Sequence, residues 1–178
     1  MPLRQPQSTR RMFVSELLQL GPNAKLRVKN PDGTTSEISI NELLELDGAT
    51  KYVELTAAST LTAADSGKVY LLNSATEFAT TLPLPAIGLN FEFIVKAAPA
   101  SASYTVLTSA SANIIHGVVT TGEDAAGSVA TAAAADTITF VDAKAIIGDR
   151  VKVESDGTNW YITGFCAVQD GITTTQAT

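Results

Sequence analysis

The stretch Leu82-Pro83-Leu84-Pro85-Ala86-Ile87-Gly88-Leu89-Asn90-Phe91-Glu92-Phe93-Ile94-Val95-Lys96 decides the fold. Side chains of an extended chain alternate between faces, so Phe91, Phe93 and Val95 share one side and Asn90, Glu92, Ile94 and Lys96 the other. Two prolines ahead of this run hold the chain in a turn or at an edge, because proline cannot donate to a strand ladder. The pattern predicts a central strand, with further short strands packed around it from about Leu61 to Phe165.

Those strands follow at regular spacing. Lys68 to Leu72, Phe78 to Leu82, Ser103 to Thr108, Asn113 to His116 and Asp136 to Val141 each read as extended, the last with Ile138 and Phe140 inward. Asp149 to Glu154 and Asn159 to Phe165 flank Ser155-Asp156-Gly157-Thr158, an Asp-Gly hairpin signal. Between Thr120 and Ala135 a glycine- and alanine-rich run carries no strand signal and is expected to be a long loop. Seven or eight such strands predict a mainly β domain, an antiparallel β-sandwich or small barrel, over 56–168, with 169–178 as a tail or interface strand.

Ahead of it, residues 1–11 hold two prolines and no periodicity. Phe13, Leu17 and Leu20 then fall at i, i+4 and i+7, a short helical stripe before Gly21-Pro22, so 1–20 reads as an arm that needs something to pack on. Residues 21–55 read as an attachment module. Leu26 and Val28 alternate with Lys25, Arg27 and Lys29, Asn30-Pro31-Asp32-Gly33-Thr34 turns the chain, and Ile38 and Ile40 return it. A short helix over Glu42 to Leu46 and an extended Lys51 to Leu55 complete the module. A lone hairpin is marginal in water and must dock on a neighbour.

The charge is uneven. The chain is −6 overall, yet residues 1–30 carry Arg4, Arg10, Arg11, Lys25, Arg27 and Lys29 against Glu16 alone, a net of +5. The remainder has six basic and seventeen acidic residues, a net of −11. A basic front on an acidic body suits tethering to an oppositely charged surface. An acidic β-body does not suit nucleic acid, and no phosphate-binding glycine loop is present. No run is apolar over the ~18–20 residues that span a bilayer, and the first residues lack the apolar stretch of a secretory signal.

Candidate chemistry is thin. His116 is the only histidine and Cys166 the only cysteine, so neither has a like partner for metal binding, and both read as structural. Glu92 and Asp142 are the carboxylates one would nominate for glycoside hydrolysis, but nothing in their spacing sets them apart from solvated charges. Glu123-Asp124 and Asp136 bring carboxylates near the 120–135 loop without EF-hand spacing. The reading is a non-enzyme with no catalytic, cofactor or metal site.

Four stretches carry a resemblance. Leu61 to Leu72, Thr81 to Val95 and Ser155 to Gly164 resemble a β-domain of tailed-bacteriophage virion proteins, and Asn23 to Lys29 with Asp32-Gly33-Thr34 resembles the head-proximal module of capsid decoration, or cement, proteins. The resemblance implies a homotrimer on the capsid exterior at three-fold positions, made in the host cytoplasm and stabilising the expanded shell. Its partners would be the major capsid protein and itself, with no cofactor, no specific nucleic acid and no membrane. The capsid-contact residues would be Arg4, Arg10, Arg11, Phe13, Leu17, Lys25, Arg27 and Lys29. A tail-fibre or receptor-binding β-module is the alternative.

Overall fold

The computed structural model describes residues 25–29, 32–39, 51–74, 76–123 and 129–178. The chain divides into two compact units, Met1–Ala49 and Thr50–Thr178. The arm over 1–20 and the helix over Glu42 to Leu46 lie outside the described residues.

In the first unit β1 (Lys25–Lys29) pairs antiparallel with β2 (Thr35–Ser39), setting Arg27 opposite Glu37. The turn forms as its sequence dictates. Gly33 takes φ +86°, where a Cβ would be strained, and Asp32 Oδ1 accepts hydrogen bonds from the Thr34 N–H at 2.9 Å and the Thr34 hydroxyl at 2.6 Å.

The second unit is mainly β, two mixed sheets packed face to face. Its strands are β3 (Lys51–Leu55), β4 (Ser59–Thr60), β5 (Lys68–Leu72), β6 (Ala79–Thr81), β7 (Ile87–Val95), β8 (Tyr104–Leu107), β9 (Ile115–Thr121), β10 (Val129–Ala135), β11 (Thr137–Phe140), β12 (Arg150–Asp156), β13 (Trp160–Cys166) and β14 (Ile172–Thr175). One sheet has the order β10-β9-β13-β12-β7-β5-β3, the other β14-β11-β8-β6-β4.

The pairing departs from the antiparallel expectation in one half of the body. From β3 to β8 the chain passes alternately between the two sheets, and each strand lies parallel to the one two places earlier. Three coils stack in register, aligning Val53 with Tyr70 and Phe93, and Leu55 with Leu72 and Val95. Parallel neighbours need a long crossover, and here the crossover is a strand of the opposite sheet. β13 and β9 are also parallel, while β12 pairs antiparallel with both β13 and β7.

β7 is the central strand that its alternation predicts, lying between β12 and β5. Phe91, Phe93 and Val95 are buried and Asn90, Glu92 and Ile94 only partly so. With Trp160 and Ile162 of the same sheet and Tyr104, Val106, Ile138, Phe140 and Ile172 of the opposite one they form one core. The Phe91 and Trp160 rings lie 5.8 Å apart, and Tyr70 stacks on Phe93 at 5.5 Å. Each such side chain contributes roughly 1.5–3 kcal/mol on burial. The buried Tyr104 hydroxyl accepts the Ser74 N–H at 3.0 Å and lies within bonding distance of the Ser74 and Ala97 carbonyls, so burial leaves it satisfied.

Three further expectations are corrected. The supposed loop over 120–135 contains the end of β9 and all of β10, an antiparallel pair with a bulge between Ala132 and Ala135 where Ala134 takes φ +58°. An alanine run has weak strand propensity, but its small side chains let Ala132 and Ala135 pack into the core. Lys51–Leu55 belongs to the body, as edge strand β3, because Val53 and Leu55 extend the apolar rows of β5 and β7. The end of the chain is no free tail: β14 pairs with β11. There the Gln176 side chain donates to the Ala133 carbonyl at 2.7 Å and Asn113 pairs with Ala177, tying the two sheets together along that side.

Candidate functional site

The expected docking residues are described only in part. Arg4, Arg10, Arg11, Phe13 and Leu17 lie outside the described residues, as does the side chain of Lys29. Lys25 and Arg27 stand exposed on β1, and both converge on Glu37 of β2, with Nζ 3.2 Å from Oε2 and Nε 2.6 Å from Oε1. Strand alternation puts the two cations on one face, and the hairpin register brings the carboxylate opposite them. The Lys25 ammonium, then the Arg27 guanidinium, hold the Glu37 carboxyl below its ordinary range, so the trio keeps one net positive charge at neutral pH. Exposed pairs of this kind contribute only about 0–1 kcal/mol, so they shape a charged surface more than they hold the hairpin together.

On the body, the outward face of the seven-stranded sheet carries a row of charges on β12 and a half-exposed apolar cluster on β9 and β13. Arg150 Nη1 lies 3.8 Å from Glu92, and Lys152 Nζ lies 2.7 Å from Glu154. Val118, Tyr161 and Phe165 stand beside them, each between 41% and 49% exposed. Leu84 and Ile87 are exposed at the end of the sandwich where β7 begins, and Ile146 and Ile147 at the opposite end, just before β12.

The nominated chemical residues stay apart. His116 accepts the Ala134 N–H on Nδ1 at 3.3 Å and lies against Tyr161, ring centres 6.3 Å apart. Cys166 is buried at the end of β13, and burial pushes its thiol above the ordinary range. Glu92 faces Arg150. Asp142 lies in the turn after β11, where its N–H donates to the Ser103 hydroxyl at 3.0 Å. Glu123 accepts the Gln169 N–H at 3.0 Å, and Asp136 is buried between β10 and β11. Among the described residues no group of three or more His, Cys, Asp or Glu side chains could hold a metal ion, and no helix is long and apolar enough to cross a membrane.

Three polar arrangements escaped the sequence reading. Asp149 is 2% exposed, and its carboxylate accepts the Ile146 N–H on Oδ2 and the Ala167 N–H on Oδ1, both at 2.9 Å, clipping the turn before β12 to the end of β13. The Glu77 carboxylate accepts the backbone N–H groups of Ala100, Ser101 and Ala102 at 2.8, 3.4 and 3.1 Å. These amides, the Ala100 N–H foremost, lower its pKa. Glu54, Asn73 and Lys96 come together at the ends of three neighbouring strands, where Glu54 accepts from both Asn73 and Lys96. Nothing local in the sequence marks these, because each arrangement is completed by a partner from a distant segment, Ala167 for Asp149, Ala100 to Ala102 for Glu77 and both Asn73 and Lys96 for Glu54.

The fold and its surface define a mainly β, two-sheet protein preceded by a small hairpin unit. Comparison with protein-family models, with curated proteins and with solved structures finds no match for this chain.

Proposed function

We propose that this chain is a structural virion protein that binds the outer capsid surface as a trimer at three-fold positions and stabilises the expanded shell, without catalysing a reaction. The observation that carries the reading is the division into a small unit whose first thirty residues are basic and a larger acidic body. The small unit presents an exposed Lys25 and Arg27 within a front segment of +5, and the large acidic unit holds its own core. A small charged unit joined to a self-sufficient body suits a molecule that grips with one part and adds bulk with the other. Three copies together would also bury the Phe13, Leu17 and Leu20 stripe that one copy cannot. The resemblance of Asn23 to Lys29 with Asp32-Gly33-Thr34 to the head-proximal module of decoration proteins supports the same reading.

The test is co-sedimentation with expanded capsids that lack the protein. The full chain binds, and a variant without residues 1–20 keeps its β signature but stays in the supernatant. Undiminished binding by that truncation overturns the reading. Light scattering on the free chain gives the mass of a trimer. Antibody labelling of heads accords with decoration, whereas labelling of tails assigns the chain to the tail-fibre alternative.

A further inference from the structure

The ends of β3, β5 and β7 assemble three side chains whose combination has a chemistry of its own. β5 lies between the other two strands. Asn73 follows β5 with its N–H on the Leu55 carbonyl at 2.9 Å, and Lys96 follows β7 with its N–H on the Leu72 carbonyl at 2.9 Å, so both backbones are fixed by the sheet. Glu54 reaches across from β3. Its Oε1 accepts the Asn73 side-chain amide at 2.5 Å, and its Oε2 is hydrogen-bonded and ion-paired to Lys96 Nζ.

One carboxylate thus touches an amine nucleophile and the amide nitrogen that would have to leave if that amine attacked the amide. Acyl transfer from a carboxamide needs a base at the attacking nitrogen and an acid at the departing one. Glu54 spans both positions, and the sheet holds the reactants side by side in place of a chance encounter. The Lys96 ammonium, and then the Asn73 amide, keep the Glu54 carboxyl below its ordinary range, so at neutral pH it is in the form that accepts a proton.

We propose that Lys96 and Asn73 join in an intramolecular isopeptide bond, with Glu54 as the proton carrier. Glu54 takes one proton from the Lys96 ammonium, the amine so formed adds to the Asn73 side-chain carbonyl carbon, a second proton leaves Nζ, and the bond from that carbon to Nδ2 breaks. Nζ gives up two protons by way of Glu54, and both end on the departing nitrogen, which leaves as ammonium. The product is a secondary amide between the side chains, and Glu54 returns to its starting state. No oxidant, metal or further reactant enters. The side chains of Lys96 and Glu54 are 46% and 40% exposed, so water competes for their polar atoms and the bond forms slowly. Once formed, it closes residues 73–96 into a covalent loop and restricts the unfolded chain as a disulfide does.

Intact-mass spectrometry of the full-length chain, as purified and after prolonged incubation, tests this. The expected result is a species lighter by one ammonia per chain, with a branched proteolytic peptide joining residues 73 and 96. Lys96→Arg, which keeps the charge beside Glu54 but cannot attack, and Glu54→Gln both retain the full mass. Full mass throughout in the unaltered chain, or only the hydrolysis of Asn73 to aspartate, overturns the proposal. Either result leaves the capsid reading untouched.

Discussion

Gly117 of β9 and Ile162 of β13 approach so closely across their parallel ladder that a methyl group on Gly117 would stand 2.1 Å from the Ile162 carbonyl oxygen. Gly117 also takes φ +141°, which L side chains rarely adopt. The obstacle is backbone in the middle of the larger sheet, so no rotamer change relieves it. Gly117→Ala is expected to cost about 3 kcal/mol or more from strain and overpacking together. A urea unfolding midpoint that falls accordingly, against a smaller fall for Gly148→Asn, where φ is +98° but the space is open and only the backbone cost applies, checks it.

Asp65 sets part of the acid limit of the body. Its carboxylate takes the Lys68 ammonium at 2.6 Å on Oδ1 and the Thr62 N–H and hydroxyl at 2.8 and 2.7 Å on Oδ2, and Lys68, then Thr62, bring its pKa down to about 2. The folded value lies below the unfolded one, so the stabilisation is complete above about pH 4 and is lost as pH falls towards about 2. With the side chain a quarter exposed, the contribution is about 1 kcal/mol after solvent screening. Denaturant midpoints measured from pH 5 to pH 2 should fall less steeply for Asp65→Asn than for the unaltered chain.

Asp149 guards Cys166. The buried carboxylate satisfies two backbone N–H groups at once, whereas an asparagine there offers one oxygen and leaves one of them unpaired. Asp149→Asn is expected to cost about 2 kcal/mol and to loosen the end of β13. Cys166, buried and with its thiol pushed up in pKa, should resist a thiol-alkylating reagent in the native chain. In Asp149→Asn it should label several-fold faster, read by mass spectrometry over time.

The hairpin charges bear on the proposed docking. Replacing Lys25 and Arg27 together by glutamate places three carboxylates where one now sits between two cations. Capsid co-sedimentation at low salt should weaken by about tenfold or more. The thermal transition of the body should not move, because its core is separate.

Much of the body can be read from alternation alone. Phe91-Glu92-Phe93-Ile94-Val95, Thr137 to Phe140 and the Asp156-Gly157 hairpin declare their strands, their inward faces and their turn, because a strand that buries one side must alternate and a tight reversal needs a residue free to take positive φ. The concentration of basic residues in the first thirty positions is likewise a property of the sequence. The pairing is not. The links between β3 and β8 are too short and bland to show whether the next strand lies beside its predecessor or crosses to the opposite sheet, and only the stacking of Val53, Tyr70 and Phe93 in one apolar row selects the parallel coil. The alanine run of β10 becomes a strand because β9 offers an edge and the core has room for methyl groups. The Asp149 clip needs the Ala167 backbone from the end of β13, and the Glu54, Asn73 and Lys96 group needs side chains from three separate segments. Local pattern therefore determined which residues are buried, while long-range packing decided which strands are neighbours and which polar groups meet.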